Sequence, residues 1–223
     1  MASGAAFFDV DGTIINATIV HYYVYYRTSG YSDLKRRIWM IGFFPKIIYY
    51  FFLDKINRSY FIKRFYLQYQ GFQHEECLSK SEQLFKELIS PRLFAGAVER
   101  IRNHQKNGDK VVLVTGSLDF IMEPLVKYIK ADKLIALTMK VKHGRLTGET
   151  IGDPIGDNEK ARIVLEYAEE HSIVLAQSYA YADSSSDLPL LNLVGNAIVI
   201  NPGNKLKKIA DANGWETVRW SQV

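Results

Sequence analysis

The feature that most constrains the fold of this 223-residue chain is an alternation of short apolar runs with amphipathic helical patterns. Four runs have the length and apolar character of buried strands, at residues 5–10, 110–115, 178–182 and 197–200. Helical patterns lie between or after these runs, at residues 94–106, 119–130, 159–171 and 205–213. Residues 140–148 are predicted to form a β-hairpin beside the sheet, turning at His143 and Gly144. Strands that alternate with helices favour a parallel sheet, so the sequence predicts an α/β fold.

The interval between the first two predicted strands is too long for a single crossover helix. Residues 16–90 are therefore predicted to form an inserted, all-helical cap over the carboxyl edge of the sheet. Residues 1–15 and 91–223 would form the core. The helical patterns of the cap cover residues 17–28, 34–53, 58–70 and 75–89. Pro45 is expected to interrupt the second of them.

Charge and aromatic side chains are concentrated in one part of the predicted cap. Residues 16–70 hold nine Lys or Arg and two Asp, a net charge of +7, although the whole chain carries +4. The same residues contain 17 of the chain's 29 aromatic side chains. This asymmetry predicts that the segment contacts something both anionic and apolar.

Residues 38–53 are almost entirely apolar, but they contain Pro45 and Lys46 and are too few to span a bilayer. Two interpretations remain open. The run forms a pair of buried cap helices, or it lies at the interface of an anionic membrane beside the basic residues 35–37.

Cysteine content and the start of the chain indicate the compartment. Cys77 is the only cysteine, so no internal disulfide forms. The first residues lack the basic start and long apolar run of a signal peptide. We expect a cytoplasmic protein, and the membrane interpretation would add a peripheral position at the inner face of a membrane.

Residues with reactive side chains stand where predicted strands end or a predicted helix begins, which is where α/β folds assemble their sites. They are Asp9 and Asp11, Thr115 and Gly116, Lys160, and Asp183 and Asp187. Each is weak evidence when taken alone, because such residues are common in turns and helix caps. In this order and at these places, however, the set favours a functional site over a purely structural role.

The chemistry of these residues is coherent. Clustered carboxylates repel one another and need a cation, and a small set of hard oxygen ligands suits Mg²⁺. Backbone N–H groups near Gly116, the Thr115 hydroxyl and the Lys160 ammonium would bind an anion. Phosphoryl transfer requires mainly positioning and charge neutralisation, and these groups provide both.

The run from Asp9 to Thr13, the Val-Thr-Gly-Ser around Thr115, Lys160 and the pair Asp183 and Asp187 resemble the four motifs of haloacid dehalogenase superfamily phosphatases. The resemblance covers nearly the whole chain. It implies a Rossmann-like core with a helical cap inserted after the first motif.

The resemblance also implies roles. Asp9 would attack phosphorus and form an aspartyl phosphate, and Asp11 would protonate the leaving oxygen and then activate the hydrolytic water. Thr115, Gly116 and Lys160 would bind the phosphoryl oxygens.

For the metal, the resemblance implies that Mg²⁺ is held by the Asp9 carboxylate, the Asp11 backbone carbonyl and Asp183. Asp187 would support the metal site through water.

Two branches of the superfamily are similar to this chain. Residues 144–148 and the helical cap resemble phosphoserine phosphatases, but Thr18 stands where those enzymes have a Glu, and Ser186 where they usually have an Asn. The branch containing phosphatidylglycerophosphatase C is more similar, through its Thr-Gly-Ser second motif and the pattern of residues 181–191.

The predicted substrate is a phosphorylated small molecule or lipid, with a hydrophobic, lipid-like phosphate preferred. A small-metabolite phosphatase of phosphoserine or histidinol phosphate type is the alternative. A polynucleotide-end phosphatase or a catalytically silent interaction protein is less favoured. No nucleic-acid partner is expected, because the aromatic residues stand in apolar clusters that suit packing or membrane contact better than base stacking.

Overall fold

The computed structural model describes residues 4–221, so residues 1–3 and 222–223 of the predicted core lie outside the described residues. Within that range seven strands form one sheet in the order β4-β3-β2-β1-β5-β6-β7. The strands are β1 (Ala5–Phe8), β2 (Lys110–Leu118), β3 (Lys133–Lys142), β4 (Arg145–Ile151), β5 (Tyr179–Ala182), β6 (Asn196–Ile200) and β7 (Glu216–Val218). All neighbouring pairs are parallel except β3 with β4. The predicted α/β class is confirmed.

Helices cover the sheet and fill the interval between β1 and β2. The helices of that interval are α1 (Ile19–Thr28), α2 (Asp33–Ile56), α3 (Arg58–Tyr66) and α4 (His74–Leu84), called the inserted helices below. The others are α5 (Ala95–Asn107), α6 (Asp119–Ile129), α7 (Asp157–Glu170), α8 (Leu188–Leu191) and α9 (Asn204–Asn213). The division of the chain into a core and a cap domain at residues 15/16 and 90/91 stays a prediction.

The hairpin differs from the expected excursion. Its turn is correct, because His143 and Gly144 both have positive φ, of 50° and 72°. However, β3 begins at Lys133 and pairs in parallel with β2, so the hairpin forms the edge of the sheet instead of lying beside it. The sheet is therefore mixed, and β4 is its antiparallel edge strand.

The expected interruption of α2 at Pro45 is wrong, since the helix runs unbroken from Asp33 to Ile56. Proline removes the N–H that would bond to the carbonyl of Ile41. Both residues lie on the exposed side of the helix, where water can satisfy that carbonyl. The helix tolerates the proline for this reason.

Aromatic rings hold the inserted helices together. Tyr23 of α1 packs against Phe43 of α2, Phe65 of α3 and Tyr69, with centroids 5.3–5.6 Å apart. Such contacts add to the apolar burial that fixes the helices on one another.

The apolar run of α2 is not a buried helix pair. Within Asp33–Ile56 the buried apolar side chains are Phe43 and Tyr50, whereas Ile41 is 75% and Phe52 61% exposed. The buried alternative is wrong for most of this helix. Within residues 4–221, every helix is too short or too polar to cross a lipid bilayer.

Candidate active site

The site lies at the carboxyl edge of the sheet, where three neighbouring strands end. β1 is paired with β2 on one side and with β5 on the other. Asp9 follows β1 directly, and its backbone N–H donates to the Tyr181 carbonyl of β5 over 2.9 Å. Asp183 follows β5, so parallel register brings these two carboxylates to the same edge.

Lys160, in the first turn of α7, forms hydrogen bonds to two carboxylates, those of Asp9 and Asp187. Its Nζ donates to Asp9 Oδ1 and, over 2.7 Å, to Asp187 Oδ1. All three side chains are buried. Burial acts to lower the pKa of the Lys160 ammonium, but the charges of Asp187 and Asp9 outweigh it and raise that pKa. The lysine therefore stays charged and compensates the acids around it.

Three carboxylates converge on one point. Oxygen atoms of Asp9, Asp183 and Asp187 all lie within 4.8 Å of one another. Burial, and then the negative charges of Asp9 and Asp187, raise the pKa of Asp183 to about 8. Burial also raises the pKa of Asp187, against the opposing effect of Lys160. One ammonium does not neutralise three carboxylates, and a small divalent cation with oxygen ligands fits this set.

Gly12 lies next to the carboxylate of Asp183. Its φ of +94° lies in the left-handed region, and a Cβ there would overlap the Asp183 carboxylate. The glycine therefore lets the chain after β1 approach the carboxylate cluster closely.

Asp11 differs from the other acids, because its carboxylate is not part of the group formed by Asp9, Asp183 and Asp187 and binds hydroxyl groups instead. It accepts hydrogen bonds from Tyr22 Oη over 2.8 Å, Thr115 Oγ1 over 3.0 Å and Ser117 Oγ over 2.7 Å. Burial, and then the charge of Asp9, raise the pKa of Asp11 above its ordinary value, although the hydroxyls act in the opposite direction. A carboxyl group with a raised pKa, two residues from the predicted nucleophile Asp9, is suited to proton transfer.

Thr115 and Gly116 lie at the end of β2, close to Asp11. The Thr115 hydroxyl donates to Asp11 and accepts from the Ser117 backbone N–H over 3.0 Å. A Cβ at Gly116 would come within 2.9 Å of both the Ile155 carbonyl oxygen and Ile62 Cδ1. This position therefore requires glycine for close packing, and the binding role of both residues stays a prediction.

The structure brings together all seven residues predicted for the site. Asp187 lies in one carboxylate cluster with Asp9 and Asp183. Metal binding through the backbone carbonyl of Asp11 stays a prediction.

Sequence reasoning missed several residues that the inserted helices contribute. Tyr22 of α1 bonds to Asp11, and Tyr66 of α3 donates to the Gly116 carbonyl over 2.7 Å. Arg58 of α3 bonds to Asp54 over 2.7 Å. Its positive charge also acts to lower the pKa of Asp11 and of Asp187, against the effect of burial. Sequence reasoning also missed the hydrogen bond from Ser117 of β2 to Asp11, although Ser117 stands inside the second motif.

An apolar cavity of about 470 Å³ opens between the inserted helices, next to Arg58. Its apolar lining includes Ile19, Val24, Met40, Phe61 and Leu88, and its basic lining includes Arg36, Arg58 and Arg92. A second, more polar cavity of about 590 Å³ contains Asp183. Asp54 and Arg58 line both cavities, so the apolar one lies beside the carboxylate site.

Comparison with known proteins relates this geometry to characterised families. The sequence profile of the haloacid dehalogenase-like hydrolases matches residues 6–192. A probable phosphatase of Mycobacterium tuberculosis is 33% identical over 152 residues, which are 68% of this chain and 53% of that protein. The chain thus spans about half the length of this relative.

Several relatives match over nearly the whole chain, and two of them are named for a substrate. A phosphoserine phosphatase of M. tuberculosis is 25% identical over 96% of this chain and 70% of its own length. A histidinol-phosphatase of Neisseria meningitidis is 25% identical over 96% of this chain and 98% of its own.

Solved structures show the same fold. A Bordetella pertussis protein of unknown function superposes with a TM-score of 0.82 at 25% identity, covering 98% of this chain and 99% of that one. A substrate-bound phosphoserine phosphatase superposes with a TM-score of 0.70 at 20% identity, over 98% and 93%. The second likeness concerns the fold alone.

Proposed function

Because the chain belongs to the haloacid dehalogenase-like hydrolase family, we propose that it is a Mg²⁺-dependent phosphomonoesterase that works through an aspartyl phosphate on Asp9. The observation that carries the proposal is the convergence of Asp9, Asp183 and Asp187 around one point, with Lys160 bonded to Asp9. Phosphatase relatives that match most of the chain support it.

In this mechanism an oxygen of Asp9 attacks phosphorus, and the bond from phosphorus to the ester oxygen breaks. Asp11 gives its proton to that oxygen, so the alcohol leaves neutral, and the raised pKa of Asp11 supports this role. Asp11 then takes a proton from the water that attacks the aspartyl phosphate, which releases inorganic phosphate and restores Asp9.

The other residues would position the phosphoryl group and neutralise its negative charge. Asp9, Asp183 and Asp187 would hold Mg²⁺, which when bound supplies positive charge to the phosphoryl oxygens. Lys160 adds a fixed positive charge beside Asp9. Together they offset the negative charge that gathers at phosphorus in the transition state.

We propose further that the substrate is a hydrophobic or lipid-like phosphate. The apolar cavity beside the site supports this, since its lining would bury an alkyl or aromatic leaving group. Arg58 lines both this cavity and the polar cavity that Asp183 lines, and it would bind an anionic group of the substrate near the phosphate.

A small acidic metabolite is the second candidate, on two grounds. The relatives include proteins named phosphoserine phosphatase and histidinol-phosphatase. The cavity is also lined by Arg36, Arg58 and Arg92, which suit a carboxylate or phosphate.

The test is a comparison of kcat/KM for lysolipid phosphate, phosphoserine, histidinol phosphate and p-nitrophenyl phosphate, each with Mg²⁺. The hydrophobic proposal expects lysolipid phosphate to rank first and Val24→Asp to reduce that activity far more than the activity on p-nitrophenyl phosphate. A higher value for phosphoserine or histidinol phosphate would establish the second candidate. Full activity of the Asp9→Asn variant would refute the phosphatase mechanism itself.

A further inference from the structure

The outer face of α2 is an apolar stripe without a partner in residues 4–221. Its members follow one another at intervals of three, four or seven residues, which places them on one face of the helix. They are Leu34, Ile38, Ile41, Ile48, Phe52 and Ile56, with exposed fractions from 44% to 82%. Six large apolar side chains along one exposed face exceed the scattered apolar residues of an ordinary surface.

Basic side chains flank this stripe. At 100° per residue, Arg37 and Lys55 lie on one side of it, and Lys35 and Lys46 on the other. All four are exposed. The two acids of α2 do not offset these four positive charges. Asp54 bonds to Arg58, and Asp33 in the first turn contributes a single negative charge. The face is therefore apolar along its centre and positive along both margins.

We propose that this face of α2 docks on an anionic lipid bilayer, with the helix lying in the plane of the interface. Apolar side chains would enter the acyl boundary, while the lysines and arginines would reach the acidic headgroups. A helix that cannot span the bilayer can still lie along it.

Charge argues against a second copy of this chain as the occupant. Antiparallel pairing of two α2 helices would bring Arg37 of one copy close to Lys55 of the other, because both lie on the same margin of the stripe. Parallel pairing would set the margin with Arg37 and Lys55 of one copy against the margin with Lys35 and Lys46 of the other. Both arrangements oppose like charges, whereas an acidic bilayer offers the opposite charge along both margins.

The docking would also bring the candidate active site close to a lipid-like substrate, an argument that rests on the proposed function. Met40, Ile47 and Phe51 of α2 line the apolar cavity beside the carboxylates. The same helix thus borders both the proposed membrane contact and the proposed leaving-group pocket. A lipid-like phosphate would reach the pocket without crossing bulk water.

Vesicle cosedimentation tests the docking with the intact chain. The probes are vesicles of phosphatidylcholine alone and of phosphatidylcholine with phosphatidylserine in a three-to-one mixture. Wild type should sediment with the mixed vesicles at low salt and be released as salt rises. The variant Ile41→Ser/Ile48→Ser/Phe52→Ser should lose that binding. A matched variant, Leu78→Ser/Ile151→Ser/Leu165→Ser, removes exposed apolar residues from other elements and should bind as wild type does.

The charged margins are tested separately. Lys35→Gln, Arg37→Gln and Lys55→Gln should each weaken binding to the mixed vesicles roughly fivefold. Lys127→Gln, on the exposed side of α6, should leave it unchanged.

Two results would overturn the docking. One is wild type that stays in the supernatant with acidic vesicles at low salt. The other is a wild-type dimer that the stripe variant converts to monomer, which assigns the face to a second copy. Activity on p-nitrophenyl phosphate, measured without vesicles, keeps the proposals apart. Docking without any phosphatase activity would refute the proposed function alone.

Discussion

The ammonium of Lys160 lies 2.7 Å from Oδ1 of Asp187, and both side chains are buried. The lysine thereby neutralises part of a carboxylate cluster that would otherwise repel itself in a low-dielectric place. Its contact with Asp9 extends the same compensation to the proposed nucleophile. One residue of α7 thus links the end of β1 with the turn after β5.

The first prediction concerns that compensation. Lys160→Met leaves the buried carboxylates of Asp9 and Asp187 without their ammonium, so the free energy of unfolding should fall by about 3–5 kcal/mol in metal-free buffer. Urea unfolding measures it, and Mg²⁺ should restore part of the loss. Lys127→Met is the control, because that lysine is 70% exposed in its side chain and its only described salt bridge is 3.9 Å long. Equal stability of the two variants would contradict the account.

The second prediction concerns the metal. Mg²⁺ at about one hundred times its Kd should raise the free energy of unfolding by about 2.7 kcal/mol, since it binds the folded cluster and not the open chain. EDTA should abolish activity, and Ca²⁺ should inhibit because its larger, looser coordination shell misaligns the attack. Asp183→Asn should remove most of the Mg²⁺ stabilisation. Full activity after rigorous chelation would refute the metal site.

The third prediction separates backbone strain from site geometry. Gly12 and Gly108 both have positive φ, of 94° and 81°, so alanine strains the backbone at either position. At Gly12 a Cβ would also overlap Asp183, whereas at Gly108 it would meet no described heavy atom within 4 Å.

Gly108→Ala should therefore cost about 1–2 kcal/mol of stability and leave kcat/KM unchanged. Gly12→Ala should reduce Mg²⁺ affinity and kcat/KM by more than tenfold. Mg²⁺ titration by calorimetry and steady-state kinetics measure both effects. Similar kinetics for the two variants would show that Gly12 does not shape the carboxylate cluster.

The fourth prediction concerns the single cysteine. Burial, together with the charge of Glu76, raises the pKa of the Cys77 thiol to about 12. At pH 8 the native protein should therefore hold the protonated thiol and resist iodoacetamide, with rapid alkylation after unfolding in urea. The thiol becomes reactive as the pH rises towards 12. Fast alkylation of native protein at pH 8 would contradict the packing of α4.

Much of the site could be predicted from the sequence because its residues stand at strand ends. Parallel strands bring their carboxyl ends to one edge, so Asp9, Thr115 and Asp183 had to meet if the strands were assigned correctly. Lys160 followed from its place at the start of a helix.

The contributions of the inserted helices could not be predicted in this way. Tyr22 and Arg58 reach the site because aromatic packing fixes how α1 and α3 lie over the sheet, and no short spacing rule describes that packing. Composition also left two interpretations of the apolar run of α2 open, and the structure, which exposes most of it, contradicts the buried one. Hydrophobicity alone does not tell core from contact surface.

The central claim is that Asp9 carries the phosphoryl group, and trapping the phosphoenzyme tests it most directly. Acid quench during turnover, borohydride reduction and peptide mass spectrometry would reveal homoserine at position 9. We predict this product in wild type, a larger amount in Asp11→Asn, where hydrolysis is slowed, and none in Asp9→Asn, which should also be inactive. Substantial turnover by Asp9→Asn, or modification at another residue, would contradict the account.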